Sequence, residues 1–477
     1  MQNSMYDIIV IGAGSAGLSV SLFLNEVGLK VLLIDRADER IGGECLNDGC
    51  VPSKALLHLA RMVHQTKGAE KLGFTVSGEL DVKKVTTYIY SQQNIIRAHE
   101  NAAYIRKQGL EVVLGKARFH APTEVQVNDK IYKAKRIVLA TGSAPRKLQV
   151  PGVDLVKYYD NENVFDLQNL PKKLLVVGGG PIGVEIGQAL YRLGSEVTIV
   201  HDGAHLIEHD DPAVADILLQ QLQKEGIRFI LNAEVKSFAS PNKANVETKD
   251  GERSEIDLDA VFVSIGREIK LDDLALEKAG IEYKGEKIKS NKYLQTTNPK
   301  VFVCGDVADL LQFSHVAEQH ARLLLNNFFS PFKKKLNNDS ISWVTFTDPE
   351  VATFGLNEKQ LKKQNVDFEK LTLDFEEDDR AITDDYRYGK LILYVSKSGF
   401  LQKQKILGGT MIAPYAGEMV QELILANYVG ISTKEIFNKI YPYPTASRVN
   451  QQVLTRYRRK NLSDTTKQLL QFLYKIM

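Results

Sequence analysis

The sequence predicts an α/β protein in which two parallel βαβ units are followed by a C-terminal α+β unit. Its 477 residues are too many for one hydrophobic core, and at ~150 residues per domain they indicate about three domains. A glycine-rich strand–turn–helix pattern occurs twice. After residue 341 the chain changes to alternating apolar and polar residues, which is typical of antiparallel strands.

The repeated pattern consists of an apolar strand, the motif G-x-G-x-x-G, an apolar helix and a second strand, at residues 9–35 and 175–201. In both copies 16 positions separate the first glycine from the glycine after the helix. Glycines at these places permit a tight turn and let backbone N–H groups approach a pyrophosphate at the helix N-terminus. The sequence therefore predicts two Rossmann-like dinucleotide sites, formed by Gly12, Gly14, Gly17 and Asp35, and by Gly178, Gly180, Gly183 and His201.

The end of the second copy favours one of the two nicotinamide nucleotides. Asp202 follows His201, where enzymes that prefer the 2′-phosphorylated nucleotide usually offer arginine. Because a carboxylate repels a phosphate, the sequence favours NAD(H) over NADP(H).

Two later segments, 137–145 and 301–309, are predicted as buried strands that each end at a glycine turn. The second segment places Asp306 just past the carboxyl end of a strand, where ligands bind in open α/β sheets. Cys304 lies within the same apolar strand and is predicted to be a packed core thiol.

The C-terminal part is predicted as a separate α+β domain without a nucleotide motif. Antiparallel strands are expected within 343–356 and 389–414, and helices at about 416–428 and 432–439. The tail, residues 469–477, has helically spaced apolar residues and is predicted as a last helix that caps a domain or an interface, with membrane contact as the alternative.

Composition and charge exclude several classes of function. The net charge of +2 gives no basic surplus for binding nucleic acid, and no apolar run reaches the ~18 residues of a transmembrane helix. The N-terminus lacks a basic leader, and three cysteines are too few for a secreted disulfide framework. We therefore expect a cytoplasmic protein with no nucleic-acid partner and no integral membrane segment.

Cys45 and Cys50 lie five positions apart in GGECLNDGCVPSK, residues 42–54. A structural zinc site needs four ligands, and the chain has no second cysteine pair, so no metal site is predicted. Pro52 indicates a helix that begins near Cys50, whose partial positive charge favours a thiolate, as does Lys54 one turn further on. A redox-active pair is the favoured interpretation, and two buried inert cysteines are the alternative.

The motifs together resemble the class I pyridine nucleotide–disulfide oxidoreductases, flavoproteins that include dihydrolipoamide dehydrogenase, glutathione reductase and mercuric reductase. The resemblance covers essentially the whole chain, through the two glycine motifs, GGECLNDGCVPSK, ATGSAP, SIGRE, VCGDVAD and FTDPEVATFGL. It implies an FAD-binding domain in two parts, an NAD(P)-binding domain and a dimerisation domain, with predicted boundaries at 1–148, 149–270, 271–340 and 341–477. It also implies a homodimer, in which the C-terminal domain of one subunit completes the active site of the other.

The resemblance implies roles for single residues. Cys45 would be the outer thiol that exchanges with substrate, and Cys50 the inner thiol that touches the flavin. Lys54 and Glu185 would form an ion pair beside flavin N5. Other residues implied or expected around the cofactors are Gly43, Thr141, Gly142, Gly266, Gly305, Asp306 and Ala317, with Ala317 and His315 at a helix start that is otherwise read as a plain helix cap.

The C-terminal segment YPYPTASR departs from the family pattern. Family members that process disulfides carry His-x-His-Pro-Thr there, with a glutamate five residues after the second histidine; Tyr443 and Arg448 stand at these two positions. All nine histidines lie at or before His320. Because tyrosine, with a pKa of ~10, exchanges protons poorly at pH ~7, oxidation of dihydrolipoamide is disfavoured as the main reaction. Mercuric reductases also have a tyrosine near this place but use a C-terminal cysteine pair, whereas the last cysteine here is Cys304.

Four further side chains have specific predictions. Glu44 and Asp48 stand near Cys45 where the family usually has neutral residues, and they are expected to raise the pKa of Cys45 and to disfavour anionic substrates. Arg267 is expected to hydrogen-bond between domains, and Trp343 to lie in a core.

The sequence thus predicts an FAD-dependent NAD(P)H oxidoreductase, with NADH favoured, that passes electrons through a Cys45–Cys50 disulfide to a small-molecule or protein disulfide, a quinone or a metal ion. Tyr443 is included among the candidate catalytic residues. The alternatives are a dihydrolipoamide dehydrogenase, a mercuric or other metal-ion reductase, and a flavin-bearing redox sensor that turns over little.

Overall fold

The computed structural model describes residues 5–308, 311–397 and 403–477. Asp309, the last residue of VCGDVAD, and residues 398–402, within the predicted strands of 389–414, lie outside the described residues. The chain forms two compact units, the first made of Met1–Gly179, Ile186–Asp202 and Phe229–Asn337 and the second of Gly180–Glu185, Gly203–Arg228 and Asn338–Met477.

The strands of the described residues are, in order, β1 (Tyr6–Ile11), β2 (Val31–Asp35), β3 (Glu111–Leu114), β4 (Ala117–Ala121), β5 (Glu124–Val127), β6 (Lys130–Leu139), β7 (Ala144–Pro145), β8 (Tyr158–Tyr159), β9 (Lys173–Val177), β10 (Glu196–Val200), β11 (Arg228–Ile230), β12 (Ala233–Ser240), β13 (Lys243–Thr248), β14 (Arg253–Asp257), β15 (Ala260–Val263), β16 (Arg267–Glu268), β17 (Tyr283–Lys284), β18 (Lys287–Ile288), β19 (Val301–Val303), β20 (Ser342–Thr345), β21 (Glu350–Gly355), β22 (Phe368–Asp374), β23 (Lys390–Ser396) and β24 (Ile406–Ala413).

The helices of the described residues are α1 (Ser15–Glu26), α2 (Gly43–Asn47), α3 (Cys50–Gly68), α4 (Val82–Arg97), α5 (Ala102–Lys107), α6 (Pro181–Leu193), α7 (Pro212–Glu225), α8 (Ser314–Phe329), α9 (Glu358–Lys363), α10 (Asp379–Thr383), α11 (Ala416–Met419), α12 (Gln421–Val429), α13 (Thr433–Asn438), α14 (Val449–Lys460) and α15 (Asp464–Ile476).

The first glycine motif lies in a parallel sheet of the first unit. Strand β1 pairs in parallel with β2 and β6, and β19 joins the other side of β6. Strands β1, β2 and β19 and the last three residues of β6 are mostly apolar and buried, because both faces of the sheet are covered there, which is the usual state of a parallel sheet. The predicted strand–turn–helix order, β1–α1–β2, is confirmed.

The second glycine motif also joins parallel strands. Strand β9 pairs in parallel with β10 and β15, and β15 with β8. An antiparallel sheet of β12, β13 and β14 follows, and its inner face contributes Val235, Phe238, Ala244 and Val246 to the core of this region.

The C-terminal part of the second unit is an antiparallel sheet in the order β20-β21-β24-β23-β22. The predicted antiparallel strands are confirmed as β20, β21, β23 and β24, although β21 is buried along its whole length rather than on alternate residues. Sequence reasoning missed β22, whose charged residues leave only Leu371 and Leu373 on the buried face. Helices α11 to α14 cover the same core, which contains Leu423, Ile436 and Val453.

Helix α15 ends the chain and contains no buried residue. Its apolar side chains, among them Leu469, Phe472 and Ile476, are exposed. Within the three described ranges of the chain, no helix combines the length and the apolar character needed to cross a membrane.

Candidate active site

The turn between β1 and α1 forms a backbone cradle that admits only glycine at two places. Gly12 has a φ of +104°, and a Cβ there would overlap the carbonyl oxygen of Ala140. A Cβ on Gly17 would in turn overlap the carbonyl oxygen of Gly12. The close approach of backbone to backbone leaves the start of α1 open to a ligand, as a dinucleotide site requires.

Asp35, at the end of β2, is held beside this cradle. Its Oδ2 accepts a hydrogen bond from the backbone N–H of Ala13 at 2.6 Å, and its Oδ1 accepts one from Arg36 at 2.6 Å. A carboxylate fixed at this point is suited to the ribose hydroxyls of a dinucleotide. The residues of the first motif therefore fit an FAD molecule.

The cysteine motif begins against the same cradle. Gly43, the first residue of α2, approaches Gly14 so closely that a Cβ on Gly43 would lie 2.6 Å from the Cα of Gly14. Cys45 follows on α2 and is partly buried, and Cys50 is the exposed first residue of α3. The prediction that a helix begins near Cys50 is confirmed.

The side chains of the two cysteines are thiols that are hydrogen-bonded to each other. The hydrogen bond with Cys50 and burial together raise the pKa of the Cys45 thiol well above its usual value, and the charge of Glu100 adds to this effect. A hydrogen bond with Ser314 acts in the opposite direction. Cys45 therefore holds its proton while Cys50, at the positive end of α3, is the better site for a thiolate.

The two carboxylates next to the cysteines are both ion-paired. Glu44 forms a bidentate ion pair with Arg267, and Asp48 forms an ion pair with Arg40. The charges that add to the shift at Cys45 are that of Cys50 and then that of Glu100. The expected contribution of Glu44 and Asp48 to this shift stays a prediction.

The ion pair of Glu44 extends into a network of side chains. Asn161 donates a hydrogen bond to Glu44 Oε1 at 2.7 Å, and burial raises the pKa of Glu44 to about 7 although Arg267 opposes the shift. Arg267 also donates from Nε to Ser143 Oγ at 2.7 Å, and Ser143 donates to Asp306. Arg267 is a hydrogen-bonding residue, as predicted, and it connects the cysteine motif to the turn of VCGDVAD.

That turn lies against the first cradle. Gly305 has a φ of +79°, and a Cβ there would lie 3.2 Å from the Cβ of Ala16 and 3.4 Å from that of Ala317. The backbone N–H of Gly305 donates to Nδ1 of the fully buried His320 at 3.2 Å. Burial lowers the pKa of His320 to about 4, so this ring stays neutral and its proton is on Nε2.

The remaining predicted residues near the first cradle lie just after β6, just after β19 and at the start of α8. Thr141 and Gly142 follow β6, and Gly142 has a φ of +69°. Cys304 is fully buried, as predicted, with its thiol 3.8 Å from the carbonyl oxygen of Ala317. His315 stacks on Phe313, with ring centroids 5.3 Å apart.

The second glycine motif has the same tight turn. Gly178 has a φ of +111°, and a Cβ there would overlap the carbonyl oxygen of Ser264. Nδ1 of His201, directly after β10, lies 3.1 Å from Oδ1 of Asp202. Gly266 has a φ of +98°. These residues fit a nicotinamide dinucleotide. The other two glycines of the motif, Gly180 and Gly183, belong to the second compact unit.

The two members of the predicted ion pair beside the flavin belong to different compact units. Lys54 lies on α3, one turn after Cys50. Glu185 is buried on α6, where its Oε1 accepts a hydrogen bond from the backbone N–H of Phe346 at 2.8 Å. The pairing of Lys54 with Glu185 stays a prediction.

In the second unit Tyr443 is 67% exposed. Its hydroxyl donates a hydrogen bond to Asp379 Oδ2 at 3.0 Å, and the guanidinium of Arg448 lies 5.3 Å from the centre of its ring. The hydrogen bond to Asp379 raises the pKa of Tyr443 above its usual value. Tyr443 thus keeps its proton at neutral pH and is a hydrogen-bond donor rather than a base.

Trp343 differs from its prediction as a core residue. It is only partly buried, and its indole N–H donates a hydrogen bond to Asp210 Oδ1 at 3.0 Å. Sequence reasoning also gave no role to Ser314, although it stands beside His315 at the predicted helix start, or to Glu100 and Asn161, which lie outside the motifs. They become neighbours of the cysteine motif only through folding.

Comparison with known proteins adds the family. The family described as "Pyridine nucleotide-disulphide oxidoreductase" matches residues 6–321, and its "dimerisation domain" matches residues 341–453. A dihydrolipoyl dehydrogenase of Thermus scotoductus is 33% identical over 452 residues, 93% of this chain and 95% of that protein. A mercuric reductase of Lysinibacillus sphaericus is 31% identical over 444 residues, 92% of this chain and 80% of that protein.

A solved structure has the same fold. The HOCl-induced flavoprotein disulfide reductase RclA from Escherichia coli superposes with a TM-score of 0.82 at 24% identity, covering 94% of this chain and 99% of that one. The predicted fold class, with two dinucleotide-binding regions and a C-terminal dimerisation domain, is thereby confirmed. The chain belongs to the pyridine nucleotide-disulphide oxidoreductase family and is an oxidoreductase that uses FAD and NAD(P)H.

Proposed function

We propose that the protein passes electrons from a nicotinamide nucleotide, with NADH favoured, to a Cys45–Cys50 disulfide and from there to an external acceptor. The observation that carries this proposal is the hydrogen-bonded pair of thiols, Cys45 on α2 and Cys50 at the start of α3, on a segment that packs against the first dinucleotide cradle. Two inert cysteines would not require this position next to the cradle, which is why the redox role is favoured over the alternative.

The chain supplies binding and orientation for chemistry that the cofactor brings. When bound, FAD transfers two electrons between the nicotinamide and the disulfide. Gly12, Gly14, Gly17 and Asp35 would hold it, together with the turn at Gly305. Gly178 and His201 would hold the nicotinamide nucleotide on the other parallel sheet.

The balance of the reaction assigns a task to each thiol. NAD(P)H, a proton and the disulfide give NAD(P)⁺ and two thiol groups, of which one deprotonates. Cys50 carries the thiolate, because it lies at the N-terminus of α3, and Cys45 keeps its proton. Cys45 then exchanges with a substrate disulfide, and Cys50 attacks Cys45 to restore the intramolecular disulfide.

The protonation state of Tyr443 favours an acceptor whose reduction requires no strong base. Its hydroxyl keeps its proton through the hydrogen bond to Asp379. The oxidation of a dithiol such as dihydrolipoamide relies on a general base, whose loss typically costs ~10²–10⁴-fold. Dihydrolipoamide is therefore disfavoured as the main substrate, and the candidate acceptors are a disulfide, a quinone and a soft metal ion. The homodimer that completes the site and a cytoplasmic location stay predictions.

The assigned thiols are tested by reducing the purified protein with NADH under anaerobic conditions. The wild-type protein should gain two thiols per chain and a long-wavelength absorbance band from the thiolate next to the flavin. Cys50→Ser should lose the band, since the thiolate is gone, and the matched variant Cys45→Ser should retain it. A band that persists in Cys50→Ser contradicts the role of Cys50.

The acceptor is tested in steady-state assays with each alternative in turn. We expect NADH-dependent turnover with a disulfide, a quinone or Hg²⁺ or Cu²⁺, and at least ~100-fold slower turnover with dihydrolipoamide plus NAD⁺. A rate with dihydrolipoamide that equals the best acceptor rate would make the protein a dihydrolipoamide dehydrogenase. Negligible turnover with every acceptor would favour the redox sensor.

A further inference from the structure

Ser314 lies next to both redox thiols. It is the first residue of α8, and its Oγ lies 3.5 Å from the Sγ of Cys50. The same hydroxyl hydrogen-bonds to Cys45 and lowers the pKa of that thiol.

We propose that Ser314 is a catalytic residue whose hydroxyl bridges the two cysteines and carries a proton from Cys45 to Cys50. The inference rests on the proposed function, because it concerns the reduced pair that this function produces. Its basis is that one hydroxyl, which can both donate and accept a hydrogen bond, lies 3.5 Å from the Sγ of Cys50 and also hydrogen-bonds to Cys45.

The reduced pair has a proton to move, for which the bridge through Ser314 is a route beside the direct hydrogen bond between the two cysteines. Cys50 carries the thiolate and Cys45 the proton, but the outer thiol must be a thiolate to attack a substrate disulfide. In the family members that the sequence resembles, a C-terminal histidine is the acid/base for the substrate thiols. Among the described C-terminal residues Tyr443 stands at that position, and it keeps its own proton.

The bridge moves one proton and no electrons. Cys45 S–H gives its proton to Ser314 Oγ while the Ser314 hydroxyl gives its own proton to the Cys50 thiolate. Before the step the pair is a Cys45 thiol and a Cys50 thiolate, and afterwards it is a Cys45 thiolate and a Cys50 thiol. The total charge stays −1, Ser314 is again a neutral hydroxyl, and the outer sulfur is ready to attack.

Other ionisable groups also surround the pair, so the test must separate the hydroxyl from them. Glu100 acts on Cys45 by its charge, and Glu44 is held by Arg267. Lys54 lies one turn along α3, and His315 follows Ser314 on α8. Substitutions confined to Ser314 leave all four in place.

The experiment compares Ser314→Ala with Ser314→Thr in the anaerobically reduced holoprotein. Two quantities are measured against pH: the long-wavelength band, which reports the Cys50 thiolate, and the rate at which iodoacetamide alkylates Cys45. In Ser314→Ala the band should titrate about one pH unit higher, since a hydrogen bond to a thiolate is worth about tenfold. Alkylation at about pH 7 should slow by about tenfold, and Ser314→Thr should stay within about twofold of the wild type because it retains the hydroxyl.

Two results would overturn the inference: a Ser314→Ala protein that titrates and alkylates like the wild type, or equal shifts in Ser314→Ala and Ser314→Thr. Should Ser314→Ala fail to retain FAD, Ser314→Gly serves as the second variant without a hydroxyl, judged by the same criteria. A wild-type protein that gains no thiols on reduction would instead overturn the proposed function, which keeps the two failures apart.

Discussion

Asp210 and Asp211 are neighbouring residues whose carboxyl groups titrate in opposite directions. Burial raises the pKa of Asp210 to about 6, even though the side chains of Thr353 and Trp343 donate hydrogen bonds to it. Burial also acts on Asp211, but hydrogen bonds from Tyr394 at 2.7 Å and Lys370 at 3.0 Å outweigh it and lower that pKa. Hydrogen bonds from neutral groups do not offset the burial of Asp210, whereas a cation helps to offset that of Asp211.

Opposite effects on stability follow from these two pKa values. The native state binds the Asp210 proton more tightly than the unfolded state, so stability falls as the pH rises from 3.8 to about 6. Asp210→Asn removes this loss, and its unfolding free energy relative to the wild type should therefore increase by about 2 kcal/mol between about pH 4 and about pH 7.

Chemical denaturation at the two pH values measures this difference. Asp211→Asn is the matched control, because the native state there favours the charged form, whose contribution is present above the unfolded pKa and lost as the pH falls through the folded one. Asp211→Asn should therefore lose stability relative to the wild type as the pH rises. The same sign of pH dependence in both variants would contradict the assignment.

At the scale of secondary structure, the ion pair of Glu44 and Arg267 holds α2, which carries Cys45, to strand β16. The side chain of Arg267 is only 12% exposed and that of Glu44 28% exposed. Removal of one partner from a mostly buried ion pair leaves a charge that water cannot solvate well, whereas removal of both does not.

A double-mutant cycle tests this link. Arg267→Met should lower the unfolding free energy by about 2 kcal/mol at about pH 8, where the carboxyl group of Glu44 is ionised. In the double variant Glu44→Gln/Arg267→Met, about half of this loss should be recovered, because no charge is left unpaired. Losses that add within about 0.5 kcal/mol in urea unfolding would show that the two side chains are not coupled.

At the scale of the whole molecule, the dimerisation domain raises the question of which subunit supplies Tyr443 to which pair of thiols. The proposed function places Tyr443 of one subunit at the cysteines of the other. A dimer should have twice the 53.4 kDa mass of the chain.

Mixed dimers test the arrangement directly. Cys50→Ser chains and Tyr443→Phe chains, refolded together in equal amounts, form mixed dimers as about half of the population. If Tyr443 acts across subunits, each mixed dimer contains one intact site, and disulfide reduction by NADH should recover to about a quarter of the wild-type rate. If both residues act within one subunit, no rate is recovered above that of the separate variants.

The motifs that determine the dinucleotide and cysteine sites could be predicted from the sequence because each depends on short-range spacing. The turn between β1 and α1 requires glycine at positions 12 and 17. Cys50 is the first residue of a helix that Pro52 and the apolar residues after it predict. Antiparallel strands after residue 341 follow from the alternation of apolar residues, and only β22, with few apolar residues, escaped it. Such local rules hold without knowledge of what packs where.

The partners of these motifs depend instead on contacts between residues far apart along the chain. Ser314 contacts Cys50 across 264 positions of the sequence, and Arg267 contacts Glu44 across 223 positions. The second contact compensates the charge of Glu44, for which the sequence alone shows no partner. No spacing rule covers such distances, because packing of helices and strands decides which side chains meet and which are removed from water. The short cysteine motif therefore determines that the pair is redox-active, whereas the tertiary contacts determine which of the two thiols keeps its proton.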